Sequence, residues 1–313
     1  MLKMHRRKLI CGTLTLCLPS VRGYAAQTDG VRIALVQVTE SSRYFNEITR
    51  GVRNQSSRLG FSLSVFDADN SPVAQSDAIE NYAEQKVSAI LLCAIDVYGV
   101  RDAIDTAARF GVPVIAIDAI VAGKTVSQIG VDNARTSAAL LDALLRNPVA
   151  GGGRRVNVGV VGAASSYIQT LRYDGFLSAM KMRAPLMHVS GFVDGQNILD
   201  TAQTAAEDLL AAVPDVDLIY ATGEPAMIGV LSALQTSPPR KPVHLAGWDM
   251  SPEIEKALKN GTVLATAVQD TVRMGEAAVS AARDWLRKTP QPHDITVPAS
   301  IFTPQTFSVS GKA

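Results

Sequence analysis

From Val31 onward, short β-branched runs alternate with longer amphipathic stretches. VRIALVQV (31–38) precedes a helical pattern from Arg43 to Leu59, which Gly60 stops. SLSVFD (62–67) leads into Asn70-Ser71-Pro72, a helix start with proline in its first turn. AILLCA (89–94), a helix ending at Gly111 and VPVIAI (112–117) complete three strand–helix–strand crossovers. The alternation then restarts with VNVGVV (156–161), a helix near 171–182, MHVSGFV (187–193), a helix near 199–212 and DLIYAT (217–222). Glu224-Pro225 opens a further helix, followed by the strand VHLAGW (243–248). Ser251-Pro252 caps a helix ending at Gly261, before TVLATAV (262–268).

Strands that are apolar without interruption need both sheet faces covered, and the intervening helices supply the cover. The expected class is therefore α/β, with parallel, doubly wound sheets and right-handed crossovers. Two such runs, separated near Ile129–Asn133, predict two similar lobes. Ligands of open α/β sheets sit beyond the carboxyl ends of the strands, so two lobes facing each other with those ends enclose a cleft.

Charge changes the picture at the amino end. The 313 residues hold 30 Lys and Arg against 29 Asp and Glu, a formal balance of +1. Lys3, Arg6, Arg7, Lys8 and Arg22 fall within residues 1–26, which contain no acid, so the remainder carries −4. That segment has a basic start, an apolar run from Leu9 to Val21 and a small-x-small site at Gly23-Tyr24-Ala25, the pattern of a secretory signal. The run is shorter than the roughly 20 residues of a membrane span. Arg6-Arg7 leaves both the general and the twin-arginine export routes open. Cys11 and Cys17 are expected to leave with the signal, so Cys93 is the one thiol of the mature chain, read as a buried strand residue. No disulfide framework or zinc site is expected.

Several chemistries lack support. Gly151-Gly152-Gly153 precedes a strand instead of following one and is read as a flexible turn, not a phosphate loop. His188, His244 and His293 lie far apart without ligand spacing, and Ser165-Ser166 has no evident histidine partner. The basic residues are scattered over an acidic mature chain, which argues against nucleic acid. No enzyme activity, metal or cofactor is expected.

The order of segments carries a resemblance. RIALVQVTESSRYFNEITRGV, LLCAIDVYGVRDAIDTAARFGVPVIAID, SQIGVDNARTSAALL, LRYDGF, PDVDLIYATGEPAMIGVLSALQ and LAGWDMSPEIEKALKNGTVLATAVQD follow one another from Val31 to Phe302. In this series the chain resembles the periplasmic sugar-binding proteins of ABC importers, the ribose-binding-like cluster of type I solute-binding proteins. The resemblance implies two Rossmann-like lobes with parallel sheets, joined by a multi-strand hinge (periplasmic-binding-protein-like I). Residues 27–130 with 270–297 would form the N-terminal lobe, and 131–269 with 298–313 the C-terminal one.

It also implies a sugar held by aromatic stacking and by charged hydrogen-bond partners. Tyr44 and Phe45 match the stacking pair, Asp118 the strand-end acceptor, and Arg172 the arginine two residues before Asp-Gly-Phe. Asp249 matches the acid of the Gly-aromatic-Asp turn, and Gln269 the interlobe glutamine. Each has a plainer reading as well. Tyr44 would be a surface staple, Phe45 core, Asp118 and Asp249 caps of following helices, Arg172 a partner of Asp174, and Gln269 an ordinary strand end.

Departures from the ribose pattern bear on the ligand. Ser42 stands where an asparagine precedes the stacking pair, Ala119 where an arginine follows the strand-end acid, and Ala94 and Gly223 where asparagines are expected. Asn197 replaces an aromatic. These losses leave ribose hydroxyls unpaired, so another sugar or a polyol is expected. Tyr167, Asn197, Glu224 and Trp248 are spare groups for rebuilding the site, and stacking is expected from Tyr44, Phe45 and Trp248. The implied protein is a periplasmic monomer that closes on a sugar-like ligand, with an ABC permease as partner. The alternative partner is a membrane sensor, a chemoreceptor or a histidine kinase.

Overall fold

A computed structural model describes residues 30–310; the expected signal segment, with Cys11 and Cys17, lies outside them. The first half runs β1 (Arg32–Gln37), α1 (Arg43–Leu59), β2 (Ser62–Asp67), α2 (Pro72–Glu84), β3 (Ala89–Leu92), α3 (Arg101–Arg109), β4 (Val114–Ile117) and β5 (Ser127–Gly130). The second runs α4 (Asn133–Leu145), α5 (Pro148–Gly151), β6 (Val156–Gly162), α6 (Tyr167–Arg183), β7 (Met187–Asp194), α7 (Leu199–Ala212), β8 (Leu218–Ala221), α8 (Glu224–Thr236), β9 (His244–Trp248), α9 (Pro252–Lys259) and β10 (Val263–Gln269). The chain then closes with α10 (Thr271–Leu286), β11 (Asp294–Thr296), β12 (Ala299–Phe302) and α11 (Pro304–Ser310).

Among the described residues these strands form two six-stranded sheets, ordered β11-β5-β4-β3-β1-β2 and β12-β10-β9-β8-β6-β7. The first is parallel throughout. In the second, β12 runs antiparallel to β10, a departure from the all-parallel expectation. It follows β11, an edge strand of the other sheet, across a two-residue connection, and joins the second sheet as an edge strand beside β10.

Strand periodicity divides each sheet's apolar residues between two cores. In β1, Ile33 and Leu35 join the helices α1 and α10, whereas Ala34 and Val36 face α2 and α3. In β8, Leu218 and Tyr220 face α4 and α6, whereas Ile219 and Ala221 face α7, α8 and α9. Each fully buried Leu, Ile or Val contributes about 1.5–3 kcal/mol. This two-sided burial explains why the strands read as unbroken apolar runs.

Helix caps follow the sequence signals. Gly60 ends α1 with φ 70°, and the hydroxyls of Ser71, Ser166 and Ser251 accept from backbone N–H groups in the first turns of α2, α6 and α9. Asp132 caps α4 and Asp270 caps α10 in the same way. Part of the glycine triplet forms the end of the one-turn helix α5.

The chain passes between the sheets at β5–α4, β10–α10 and β11–β12. α10 returns to the first sheet and crosses α1 closely. A methyl group at Gly51 would overlap the Val272 carbonyl, and one at Gly275 would overlap the Ile48 carbonyl, so the crossing requires glycine on both helices. Among the described residues, no helix is long and apolar enough to cross a membrane.

Candidate functional site

Each lobe places an aspartate by the same device. Asp118 directly follows β4 and Asp249 directly follows β9, and both adopt left-handed backbone, with φ 50° and 71°. Asp118 N donates to Ile129 O of the neighbouring β5, and Asp249 N donates to Ala267 O of the neighbouring β10, each at 2.7 Å. Aspartate tolerates this region better than most residues, and the turn lifts the carboxylate off the strand's carboxyl end. Neither residue caps a helix: the N-cap of α9 is Ser251, and a loop follows Asp118.

Around Asp118 stands the start of α1. Tyr44 donates its hydroxyl to Asp118 Oδ2 at 2.5 Å, and its ring meets Phe45 edge-on, with centroids 5.3 Å apart and planes at 90°. Both rings are half-buried and rest on the core beneath the first sheet. Asp118 Oδ1 is buried without a partner. Burial pushes the Asp118 carboxyl up to about 6, against the pull of Arg172 and the Tyr44 hydrogen bond. Burial, then the charges of Asp118 and Asp249, raise the Tyr44 phenol well above its ordinary range.

The second lobe holds a locked cation. Arg172 of α6 is only 4% exposed. Its Nε donates to Asn133 Oδ1 at 3.2 Å, its Nη1 donates to Thr222 O at 3.0 Å, and Nη1 stands 3.6 Å from Asp249 Oδ2. The guanidinium lies 4.1 Å from the Trp248 ring centroid. Asp174 is not its partner. Gln269, the last residue of β10, donates from Nε2 to Asp249 Oδ1 at 2.8 Å, while its Oε1 is buried without a partner.

Trp248 corrects the sequence reading. It is 0% exposed, with Arg172 over its ring and its Nε1 donating to Tyr220 Oη at 2.9 Å. Tyr220 in turn stacks on Phe176, centroids 4.0 Å apart. The tryptophan is a core plate beneath the arginine and offers no ring to a ligand. Asn197 is exposed, with φ 58°, and its Oδ1 accepts from Gln169 Nε2 at 2.7 Å. Ser42 is the N-cap residue of α1, but its hydroxyl makes no capping hydrogen bond. Tyr167 is half-exposed at the start of α6.

A cavity of about 220 Å³ opens between elements of both sheets, lined by Arg43, Tyr44, Glu47, Glu224, Asp249, Met250, Val268, Gln269 and Thr271. A smaller one of about 100 Å³ reaches Asp118 from the side of β5 and β11. The structure thus brings Tyr44, Asp118, Arg172, Asp249 and Gln269 into one electrostatic neighbourhood, with Phe45 beside Tyr44 and with Ser42 and Asn197 peripheral. Arg43, Glu47 and Thr271 were not singled out from sequence. Glu47 accepts from Arg43 Nε at 3.2 Å and from Thr271 Oγ1 at 2.8 Å, joining α1 to α10. Its position three residues after Tyr44, on the same helix face, was the available signal. Glu224 opens α8 and is half-buried; burial, then the negative charge of Asp249, pushes its carboxyl up to about 7.

The family model described as periplasmic binding protein domain matches residues 33–290. The ribose import binding protein of Escherichia coli is 28% identical over 261 residues, covering 82% of this chain and 84% of that protein. The galactofuranose-binding protein of the same organism is 23% identical, covering 97% and 96%. Among solved structures, an ABC transporter periplasmic solute-binding protein from Actinobacillus succinogenes with bound D-allose aligns with a TM-score of 0.80 at 21% identity. That alignment covers 89% of this chain and 99% of the other. A carbohydrate transporter solute-binding protein from Agrobacterium radiobacter in complex with D-arabinose aligns equally well, TM-score 0.80 at 22% identity, covering 91% and 98%. At those identities the two structures establish a shared fold.

Proposed function

The chain belongs to the periplasmic binding protein domain family, and from that membership we propose that it captures a sugar or polyol other than ribose for an ABC permease. The family is one of binding proteins, so the site's work is recognition and not catalysis. One observation carries the reading: an acceptor from each lobe is left incomplete, Asp118 beside the smaller cavity and Gln269 beside the larger, with Tyr44 linking the two by lining the larger cavity and bonding to Asp118. Asp118 Oδ1 and Gln269 Oε1 are buried with no partner, although buried polar atoms are nearly always satisfied. A polyhydroxylated ring supplies the missing donors, and its C–H face suits the rings of Tyr44 and Phe45.

On this reading Tyr44 and Phe45 stack on the ligand, Asp118, Asp249 and Gln269 accept from hydroxyls, and Arg172 donates to a ligand oxygen. Ser42 and Asn197 contribute at the rim. Residues 27–130 with 270–297 form one lobe and 131–269 with 298–313 the other, and a ligand that touches both lobes shifts the hinge equilibrium toward closure. The closed monomer then docks on its permease in the periplasm. The names of the relatives and the sugars in the neighbouring structures support the ligand class. The replaced ribose-pattern positions, Ser42, Ala94, Ala119 and Gly223, support a ligand other than ribose.

Titration calorimetry against a panel of neutral monosaccharides and polyols tests the proposal. Affinity near micromolar, about −8 kcal/mol, is expected for at least one of them. Absence of heat with every member would overturn the ligand class.

A further inference from the structure

The charges lining the larger cavity do not cancel. They comprise one cation, Arg43, and three carboxylates, Glu47, Glu224 and Asp249. Arg43 is taken by Glu47 at 3.2 Å, and Asp249 has the buried Arg172 at 3.6 Å. Glu224 is left over: it makes no hydrogen bond or ion pair with any described residue. A second observation points into the same space. Gln269 is 6% exposed, lines this cavity and has its Oε1 unpartnered, so it too presents an acceptor.

We propose that Glu224 sets the charge preference of the cleft, favouring a sugar-like ligand that carries a basic amine and rejecting one that carries a carboxylate or phosphate. An ammonium group placed at Glu224 gains a charge-assisted hydrogen bond to the one lining carboxylate that is in no hydrogen bond or ion pair with a described residue, although the charge of Arg43 also acts on it. The N-terminal turn of a helix ordinarily favours an anion. Here Glu224 is itself the first residue of α8 and occupies that position with its own negative charge, so an anionic ligand meets repulsion in place of the helix end's support. Among the described residues no group of three or more His, Cys, Asp and Glu is arranged to hold a metal ion, which favours an organic cation.

The inference rests on the proposed sugar-binding cleft and deepens it. Calorimetry at pH 7.5 with matched triplets, each a neutral hexose, its 2-amino-2-deoxy counterpart and its uronate in the gluco, galacto and manno series, separates the two. In at least one series the amine is expected to bind at least tenfold tighter than the neutral sugar and the uronate at least tenfold weaker. In a Glu224→Gln variant, with thermal unfolding confirming that it is folded, the amine advantage is expected to disappear. Binding of neutral sugars with no gain for any amine overturns the charge preference and leaves the cleft standing. An amine advantage that survives Glu224→Gln overturns the role of Glu224. Silence of every triplet and of the neutral panel overturns both readings.

Discussion

Asp217 and Asp249 stand at opposite ends of the second sheet, one just before β8 and the other just after β9. At the amino end, Asp217 Oδ1 accepts from Lys241 Nζ at 2.8 Å and Arg154 Nη1 at 3.0 Å, and Oδ2 accepts from Asn157 N at 2.8 Å. Burial works against its charge, but the hydrogen bonds from Lys241, Asn157 and Arg154 prevail and hold its carboxyl below the ordinary range. At the carboxyl end, Asp249 meets Arg172 only at 3.6 Å, and the glutamine that donates to it keeps an unpartnered oxygen. Asp118, its counterpart in the first lobe, has one oxygen on Tyr44 and the other on nothing. A carboxylate completed within the protein ties strands together. One left incomplete at the strand ends is available to a ligand.

The sharpest way to break this contrast is to remove Asp217. Asp217→Ala takes away two charged donors' acceptor and the partner of Asn157 N, so urea unfolding should show a loss of about 2 kcal/mol. Ligand affinity should stay unchanged. A variant that is as stable as the parent, or that binds less tightly, would erase the distinction between the two ends.

At the other end, Asp249→Asn keeps a residue that tolerates left-handed backbone but removes the charge opposite Arg172. Affinity for the bound sugar, read by calorimetry, should fall at least tenfold, about 1.4 kcal/mol. Unfolding free energy should change by less than that.

The two ends should also respond to pH with opposite signs. Asp118 and Glu224, pushed up to about 6 and about 7, hold protons in the folded state that the unfolded chain has already lost. Their contribution is complete below the ordinary carboxylate range and is lost as pH rises through those values. Asp217, held low, contributes above the ordinary range and loses its contribution only as pH falls through its own depressed value. Thermal unfolding of the ligand-free protein between pH 5 and pH 8 should therefore show stability declining with pH. Asp118→Asn should flatten the lower part of that slope, by an amount on the order of 1 kcal/mol. A slope unaffected by Asp118→Asn would mean that its carboxyl titrates as an exposed one does.

Sequence reading reached the elements that local signals define. α1 begins at Arg43 and stops before Gly60, and α7 spans 199–212, both as periodicity predicts. What escaped it depends on distant partners. β5 is Ser-Gln-Ile-Gly, poor in β-branched residues, and it exists because β4 and β11 flank it. The antiparallel β12 is defined by its pairing with β10, thirty or more residues earlier in the chain. α6 starts a turn earlier than predicted, where Ser166 supplies the cap.

The site divides the same way. Strand-end position marked Asp118 and Asp249, but a cap and a left-handed turn look alike in sequence. Arg172 is locked by Asn133, Thr222 and Trp248, residues far along the chain, so its burial was not legible in the helix pattern. Trp248 did carry a signal: it lies two residues after Ala246 and so shares its core-facing side of β9, which the scarcity of aromatics obscured.

The contrast between completed and incomplete carboxylates is tested most directly by the ligand-induced rise in thermal midpoint, measured side by side for the parent, Asp217→Asn and Asp249→Asn with the sugar that calorimetry identifies. The account predicts that Asp217→Asn melts lower yet keeps the full rise, whereas Asp249→Asn loses most of it at the same ligand concentration. A rise that Asp249→Asn leaves intact, or that Asp217→Asn abolishes, would contradict it.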